Sequence, residues 1–80
     1  MRYYFHQAGV VHDPDNDGME FDTIAEARIE AVRYAGEVLR DHPTLVWIGE
    51  DFRIVVTDEA DLQLFTVIVI GVDAPSMQAR

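Results

Sequence analysis

The spacing of hydrophobic positions changes twice along the chain, from strand-like to helical and back to strand-like. Aromatic residues crowd Arg2 to Gln7, and β-branched or aromatic residues dominate 52–57 and 62–70, a composition that favours strands. From Ile24 onward the apolar residues recur at steps of three and four, the period of an amphipathic helix. The pattern predicts an α+β domain in ββαββ order. An N-terminal hairpin, one long helix and a C-terminal hairpin form a small antiparallel sheet with the helix packed on one face.

The N-terminal hairpin is expected to turn at Ala8 and Gly9. Val10 to His12 then form a short second strand, and residues 13–18, Asp-Pro-Asp-Asn-Asp-Gly, form a turn, because these residue types favour turns. A further small strand is expected around residues 19–21. The strands before the helix are therefore predicted to be short and close together in the chain.

The helix has clear start and stop signals. Thr23 and Glu26 form a T-x-x-E capping box, in which each side chain binds the other residue's backbone N–H. His42 and Pro43 end the helix, because the residue before a proline avoids the α region. About 18 residues at ~1.5 Å each give a rod of roughly 27 Å, the length of a strand of about eight residues. The helix can therefore lie along the sheet.

The 80 residues of the chain suffice for one domain only. We assign residues 1–72 to a single α+β domain. Residues 73–80 have few side chains to bury, and we expect them to form a flexible C-terminal tail.

Charge and composition restrict the partners. Fifteen acidic against six basic residues give a net charge of −9, and the arginines are scattered, which disfavours nucleic acid. The absence of cysteine excludes disulfides and thiolate metal sites. No apolar run approaches the roughly 20 residues of a membrane span, and no apolar leader opens the chain. We expect a cytoplasmic protein without nucleic-acid or membrane contacts, with a basic protein as one conceivable partner.

The last predicted strand has apolar side chains on both faces. One helix covers only one face of a sheet. Phe65, Val67 and Val69 lack a cover if the helix takes the opposite face, so either Trp47 and its neighbours in 44–50 or a second subunit must cover them. We favour a homodimer with an interface of these residues: Phe65, Val67, Val69 and Trp47.

Asp13, Asp15, Asp17 and Gly18 spell D-x-D-x-D-G, the opening of an EF-hand calcium loop. The twelfth position of such a loop is a bidentate glutamate, and here it is Ile24. We favour an acidic turn whose side chains bond their own backbone. The alternative is a weak calcium site.

Two histidines raise a second metal hypothesis. His6, His12 and Asp13 would supply two imidazoles and a carboxylate, a set that suits zinc or ferrous iron. The spacing does not force them together, so we favour ordinary surface histidines. No serine or threonine is paired with a base in the sequence pattern. We therefore assign no catalytic residue, no cofactor and no metal, and we expect no enzyme activity.

Four segments carry a family resemblance: Arg2 to His6, Asp15 to Phe21, Glu26 to Ala31 and Val56 to Ala60. Their order resembles an uncharacterised bacterial family, the domain of unknown function 6894. The resemblance implies a free-standing or module-like domain without an assigned activity, so no catalytic residue is carried over.

The first half is also similar to antitoxins of the HicB type. Thr23, Glu26 and Ala27 match their T-x-x-E-A helix start, and the resemblance implies a partner that is a basic ribonuclease. Three hypotheses follow. The leading one is a non-enzymatic, self-associating interaction or regulatory module; the alternatives are a HicB-like antitoxin that masks a ribonuclease toxin and a weak calcium- or zinc-binding domain.

Overall fold

A computed structural model of the protein describes residues 1–49 and 51–78. The elements in chain order are β1 (Arg2–Gly9), β2 (Met19–Glu20), α1 (Ile24–Asp41), a 3-10 turn (Pro43–Val46), β3 (Phe52–Thr57), β4 (Gln63–Val69) and α2 (Pro75–Gln78). The predicted α+β class and ββαββ order are confirmed. None of the helices in these residues is long and apolar enough to cross a membrane. The predicted C-terminal tail, residues 73–80, contains α2. Residues 79 and 80 lie outside the described residues, and the flexibility of the tail stays a prediction.

All four strands form one antiparallel sheet in the order β2-β1-β3-β4. β1 and β3 pair in the middle, and this pairing joins the N-terminal strand to the first strand after the helix. The two edges are unequal, because β2 has two residues whereas β4 has seven. The long edge of the sheet is therefore β4.

The second strand does not lie at Val10 to His12, which corrects the expected hairpin. Gly9 does turn the chain, with a φ of 83°. Val10 N–H then donates to the Asp51 carbonyl at 3.0 Å, which holds the backbone beside the start of β3 instead of returning it along β1. A Cβ at Gly9 would lie 2.1 Å from that same carbonyl oxygen, so the close approach requires glycine.

Pairing with the outer side of β1 resumes later in the chain. A single bridge joins Gln7 to Asp13, and Met19 then pairs with Tyr3. The small strand expected around residues 19–21 is thus the true second strand, at Met19–Glu20.

The start of α1 follows the predicted capping box. Thr23 Oγ1 accepts from Glu26 N–H at 3.2 Å, and Glu26 Oε1 accepts from Thr23 N–H at 3.1 Å. The helix ends at Asp41, and Pro43 begins the 3-10 turn. Both helix boundaries are therefore set by short-range interactions that can be recognised in the sequence.

The core lies between α1 and one face of the sheet. Three buried alanines of the helix, Ala27, Ala31 and Ala35, let it approach closely. The sheet contributes five buried apolar residues: Tyr3, Phe5, Phe52, Ile54 and Val56. Small residues on the helix and large ones on the sheet thus interdigitate.

Phe65, Val67 and Val69 lie on the helix side of the sheet, contrary to the expectation that the helix leaves them uncovered. Their cross-strand partners are the buried Val56, Ile54 and Phe52, and opposite residues of an antiparallel pair share a face. The three β4 residues are half-buried and pack against the core. Whether they also contact a second subunit stays a prediction.

Replacing Ile54 by alanine tests this core. Ile54 is fully buried, so Ile54→Ala should lower the free energy of unfolding by about 2 to 5 kcal/mol, through lost burial and an unfilled cavity. Urea unfolding followed by circular dichroism at one fixed protein concentration measures the loss. The matched control is Ile70→Ala, because Ile70 is exposed, and its effect should stay within about 0.5 kcal/mol. Equal losses in the two variants would contradict the assigned faces.

Candidate functional site

One carboxylate holds the acidic loop, residues 13–18, against β1. Asp15 Oδ1 accepts from the N–H groups of Asp17 and Gly18 at 3.0 and 3.1 Å. Asp15 Oδ2 accepts from Phe5 N–H at 3.1 Å. The side chain therefore closes a turn on itself and also satisfies a donor on the outer edge of β1, as expected for an acidic turn that bonds its own backbone.

The pKa of Asp15 reports this arrangement. Partial burial acts to raise the pKa, because it disfavours the charged carboxylate. The backbone N–H groups of Phe5, Gly18 and Asp17, together with the nearby His6, outweigh burial and hold the pKa of Asp15 below its ordinary value. The fold therefore stabilises the ionised form of this carboxyl.

His6 fixes the same loop from the side of the sheet that the helix does not cover. Its Nδ1 accepts from Asp15 N–H at 3.0 Å, and its Nε2 lies 2.9 Å from Thr57 Oγ1. A ring nitrogen that accepts carries no proton, so the neutral ring has its proton on Nε2 and donates to the threonine. Both nitrogens of His6 are thus used in structural hydrogen bonds.

The other metal candidates stay apart from this pair. His12, Asp13 and Asp17 are exposed, and across residues 1–49 and 51–78 no group of three or more His, Asp or Glu side chains is placed to hold a metal ion. The calcium and zinc hypotheses therefore gain no support from this arrangement.

Two open clefts flank the loop. One, of about 390 Å³, lies between the loop and α1, with Glu30 and Tyr34 on its far wall. The other, of about 350 Å³, lies on the opposite face of the sheet and includes Tyr4, Thr57 and the acidic turn at 58–61. Carboxylates make up four of the six polar side chains that line the first cleft and four of the eight that line the second. Acidic walls of this kind favour cationic groups. The residues that line the clefts do not indicate a particular reaction.

The outer edge of β4 differs from all other described surfaces of the sheet. Its seven residues, Gln-Leu-Phe-Thr-Val-Ile-Val, include no charge and no proline, and no strand among the described residues pairs with its outer side. Natural sheets usually protect an edge with charges, proline, a bulge or a very short strand. β4 has one bulge, because Leu64 has no partner between the pairs Val56–Phe65 and Thr57–Gln63. Its regular part, residues 65–69, has none of the other protections. The edge at β2 has such protection, because it is short and its Glu20 forms ion pairs with Arg2 and the N-terminal amine.

Two apolar residues of α1 lie outside its buried face. Ile29 and Val32 are 71% and 61% exposed. At about 100° per residue, Val32 lies roughly 100° and Ile29 roughly 160° around the helix from the buried Ala31. Both side chains therefore point to solvent instead of onto the sheet.

Trp47 covers only the chain beyond the end of β4. A Cβ at Gly71 would lie 2.7 Å from two carbons of the indole, so the ring rests directly on this glycine. The ring itself remains 60% exposed. Trp47 therefore packs on Gly71, beyond the end of β4, and its role in the predicted interface stays a prediction.

The interface predicted at Phe65, Val67, Val69 and Trp47 stays a prediction. The helical period also assigns Ile29 and Val32 to the apolar stripe of α1, whereas the structure exposes both of them. The position of β4 at the edge of the sheet could not be predicted from the sequence, because the periodicity of a strand does not reveal which strands lie next to it.

These features define a small α+β sheet domain with one long helix and one unprotected edge strand. The model of the family described as Domain of unknown function (DUF6894) matches residues 2–77. The chain therefore belongs to this family, as the segment order predicted. Comparison with curated proteins and with solved structures gave no match. The similarity to HicB-type antitoxins stays a prediction.

Replacing Asp15 by asparagine tests the loop. An amide presents an N–H₂ group where a carboxylate oxygen accepted, so Asp15→Asn should destabilise the fold by about 1 to 3 kcal/mol at pH 7. Asp17→Asn removes the same charge from an exposed residue and should change stability by no more than about 0.5 kcal/mol. Thermal or urea unfolding measures both variants.

The pH dependence of this difference has a definite sign. The folded pKa of Asp15 is lowered, so its contribution is present above the unfolded value of about 3.9 and is lost as pH falls through the lower folded value. The gap between wild type and Asp15→Asn should therefore narrow below about pH 4. A gap that is constant from pH 7 to pH 3 would contradict the role of the ionised carboxylate.

Proposed function

We propose that this chain is a non-enzymatic interaction module that self-associates through the outer edge of β4. The observation that carries the proposal is a seven-residue edge strand without charge or proline. Strand addition at such an edge joins the backbone N–H and C=O groups of two chains, and alternate side chains add specificity. Two four-stranded sheets would become one sheet of eight strands in a homodimer.

The charge of the chain favours a second copy at this particular surface. A net charge of −9 makes two copies repel each other, and the repulsion is least where the facing surfaces carry no charge. β4 is such a surface, because none of its seven residues is charged. Burial of its apolar side chains would add a hydrophobic contribution to the backbone hydrogen bonds.

The state of the polar side chains supports a role without catalysis. The nitrogens of His6 and the oxygens of Asp15 already bond within the fold. The Thr57 hydroxyl is buried against His6. A catalytic group must instead be available to a substrate in the correct geometry.

Placing one lysine on the edge tests the proposal. Ile68 is 55% exposed on β4, so Ile68→Lys should leave the fold intact and add a charge of the kind that protects natural edges. In sedimentation velocity the wild type should form dimers at micromolar concentration, and Ile68→Lys should raise the dimer Kd at least about tenfold, a difference of about 1.4 kcal/mol. Circular dichroism checks that the variant is folded.

The matched control introduces the same residue at the opposite edge. Met19 is an exposed apolar residue of β2, and Met19→Lys should leave the dimer Kd unchanged within about twofold, since independent surfaces do not couple. Wild-type protein that stays monomeric at several hundred micromolar would overturn self-association. Equal weakening by both lysines would overturn the assignment to β4.

A further inference from the structure

We infer that His6 is a pH-sensitive latch for the acidic loop, residues 13–18, and that protonation of its imidazole loosens the loop from β1. The latch does not depend on the proposed self-association. Its Nδ1 accepts from Asp15 N–H at 3.0 Å, and its Nε2 lies 2.9 Å from Thr57 Oγ1. Only a neutral ring makes the first bond, because an imidazolium carries a proton on each nitrogen and donates at both.

Protonation of the ring sets two donors against each other. The new Nδ1–H would point at Asp15 N–H, which would then lose its acceptor. The bond on the other side of the ring survives, since the Thr57 hydroxyl can still accept from Nε2. The ring is therefore bonded to the sheet in both protonation states, whereas it holds the loop in only one of them.

Few hydrogen bonds hold the loop to β1. Besides the bond to His6, there are three further attachments: Phe5 N–H to the Asp15 carboxylate, the backbone bridge between Gln7 and Asp13, and Arg2 Nη1 to the Asp17 carbonyl. With one attachment lost, the loop should open more often, while β1 stays paired with β3 along six residues. An open loop uncovers the outer edge of β1 from Phe5 to Gln7, a second place where a strand could add to this sheet.

The groups around His6 allow the ring to become charged. Tyr4 lies beside it on β1, with ring centroids 6.5 Å apart, and Asp15 faces it from the loop. The turn after β3 adds three carboxylates to the same cleft: Asp58, Glu59 and Asp61. Among the described residues that line this cleft, none besides the histidine is basic.

Attraction to these carboxylates does not keep the loop closed. Glu59 and Asp61 are exposed, so water screens their effect on the ring. The Asp15 carboxylate already accepts from the N–H groups of Phe5, Asp17 and Gly18. A charged ring that turns toward this carboxylate therefore disturbs the bonds that hold the loop.

The direction of the pH effect follows from proton linkage. The closed loop requires the neutral ring, and the open loop leaves the ring free to take up a proton, so opening increases as pH falls. Ordinary imidazoles titrate roughly 2.5 pH units above ordinary aspartates, and the pKa of Asp15 is held below its ordinary value. The latch is therefore released while Asp15 is still ionised and bonded to Phe5 N–H.

Amide hydrogen exchange, followed by NMR, measures the opening. Exchange protection of Phe5 N–H, corrected for the intrinsic pH dependence of exchange, should fall at least about tenfold between pH 7.5 and pH 5. The protection of Ile54 N–H, in the central strand β3, should change by less than about twofold. The amide signals of Asp15 and Gly18 should shift with the same midpoint as the ring protons of His6.

The matched variants remove one histidine at a time. His6→Asn supplies an amide that does not titrate, so the pH dependence of Phe5 protection should disappear between pH 7.5 and pH 5. His12→Asn removes an exposed histidine next to the same loop and should retain the full effect. If His6→Asn does not fold, the shared midpoint of the loop amides and the His6 ring in the wild type decides the question.

Each contrary result overturns the latch. Constant protection of Phe5 N–H while the His6 ring titrates would show that the charged ring still holds the loop. A ring that stays neutral down to pH 5 would also contradict it. A pH effect that persists in His6→Asn, or that disappears in His12→Asn, would assign the opening to another group. All these results are independent of whether the wild type forms dimers in sedimentation.

Discussion

The pairing of β1 with β3 is the interaction on which the rest of the structure depends. It joins the first strand of the chain to one that begins after the helix, in six registered pairs from Tyr4 with Thr57 to Gly9 with Phe52. Because these two strands occupy the middle of the sheet, their inward side chains are the most buried and α1 packs over them. The free energy of this burial must offset the entropy of closing a loop of more than 40 residues. The strand that follows β3 can then pair only on the remaining side, which leaves β4 at the edge.

The other side of β1 is completed by a loop instead of a full strand. Only two residues of β2 pair there. Asp15 Oδ2 accepts from Phe5 N–H, a bond that a longer strand would have supplied, and His6 Nδ1 accepts from Asp15 N–H and so holds the loop in place. A carboxylate is well suited to this task, because it accepts several backbone N–H groups at once. Of the three aspartates in the loop, Asp15 therefore has a structural role. Asp13 and Asp17 are exposed, and their side chains contribute only charge. This edge therefore offers a neighbour a strand of only two residues, and the asymmetry between the two edges follows.

Local patterns in the sequence predict most helices and strands of this fold. They do not predict how these elements are arranged relative to one another. The capping box at Thr23 and the proline at 43 act within a few residues of the helix ends, so the sequence predicts both. The second strand was misplaced because Val10 bonds to Asp51, a residue 41 positions away that no local pattern reveals. The face of Phe65 depends on its pairing with Val56, which is equally non-local. The bonds of Asp15 to its own turn are local and were expected, whereas its bond to Phe5 requires the tertiary fold.

If the chain self-associates as proposed, an uncharged edge on an otherwise acidic chain would restrict association to a closed pair. An apolar edge alone would permit chains to add one after another, as in aggregation. Here the opposite edge is short and charged, so a chain can offer β4 to only one partner. A two-fold pairing uses both available edges and leaves none free. In the proposed dimer, the charge of −9 on each chain would oppose any further contact, because acidic surfaces repel each other. The uncharged strand would then accept a second copy, and the acidic surface would disfavour a third.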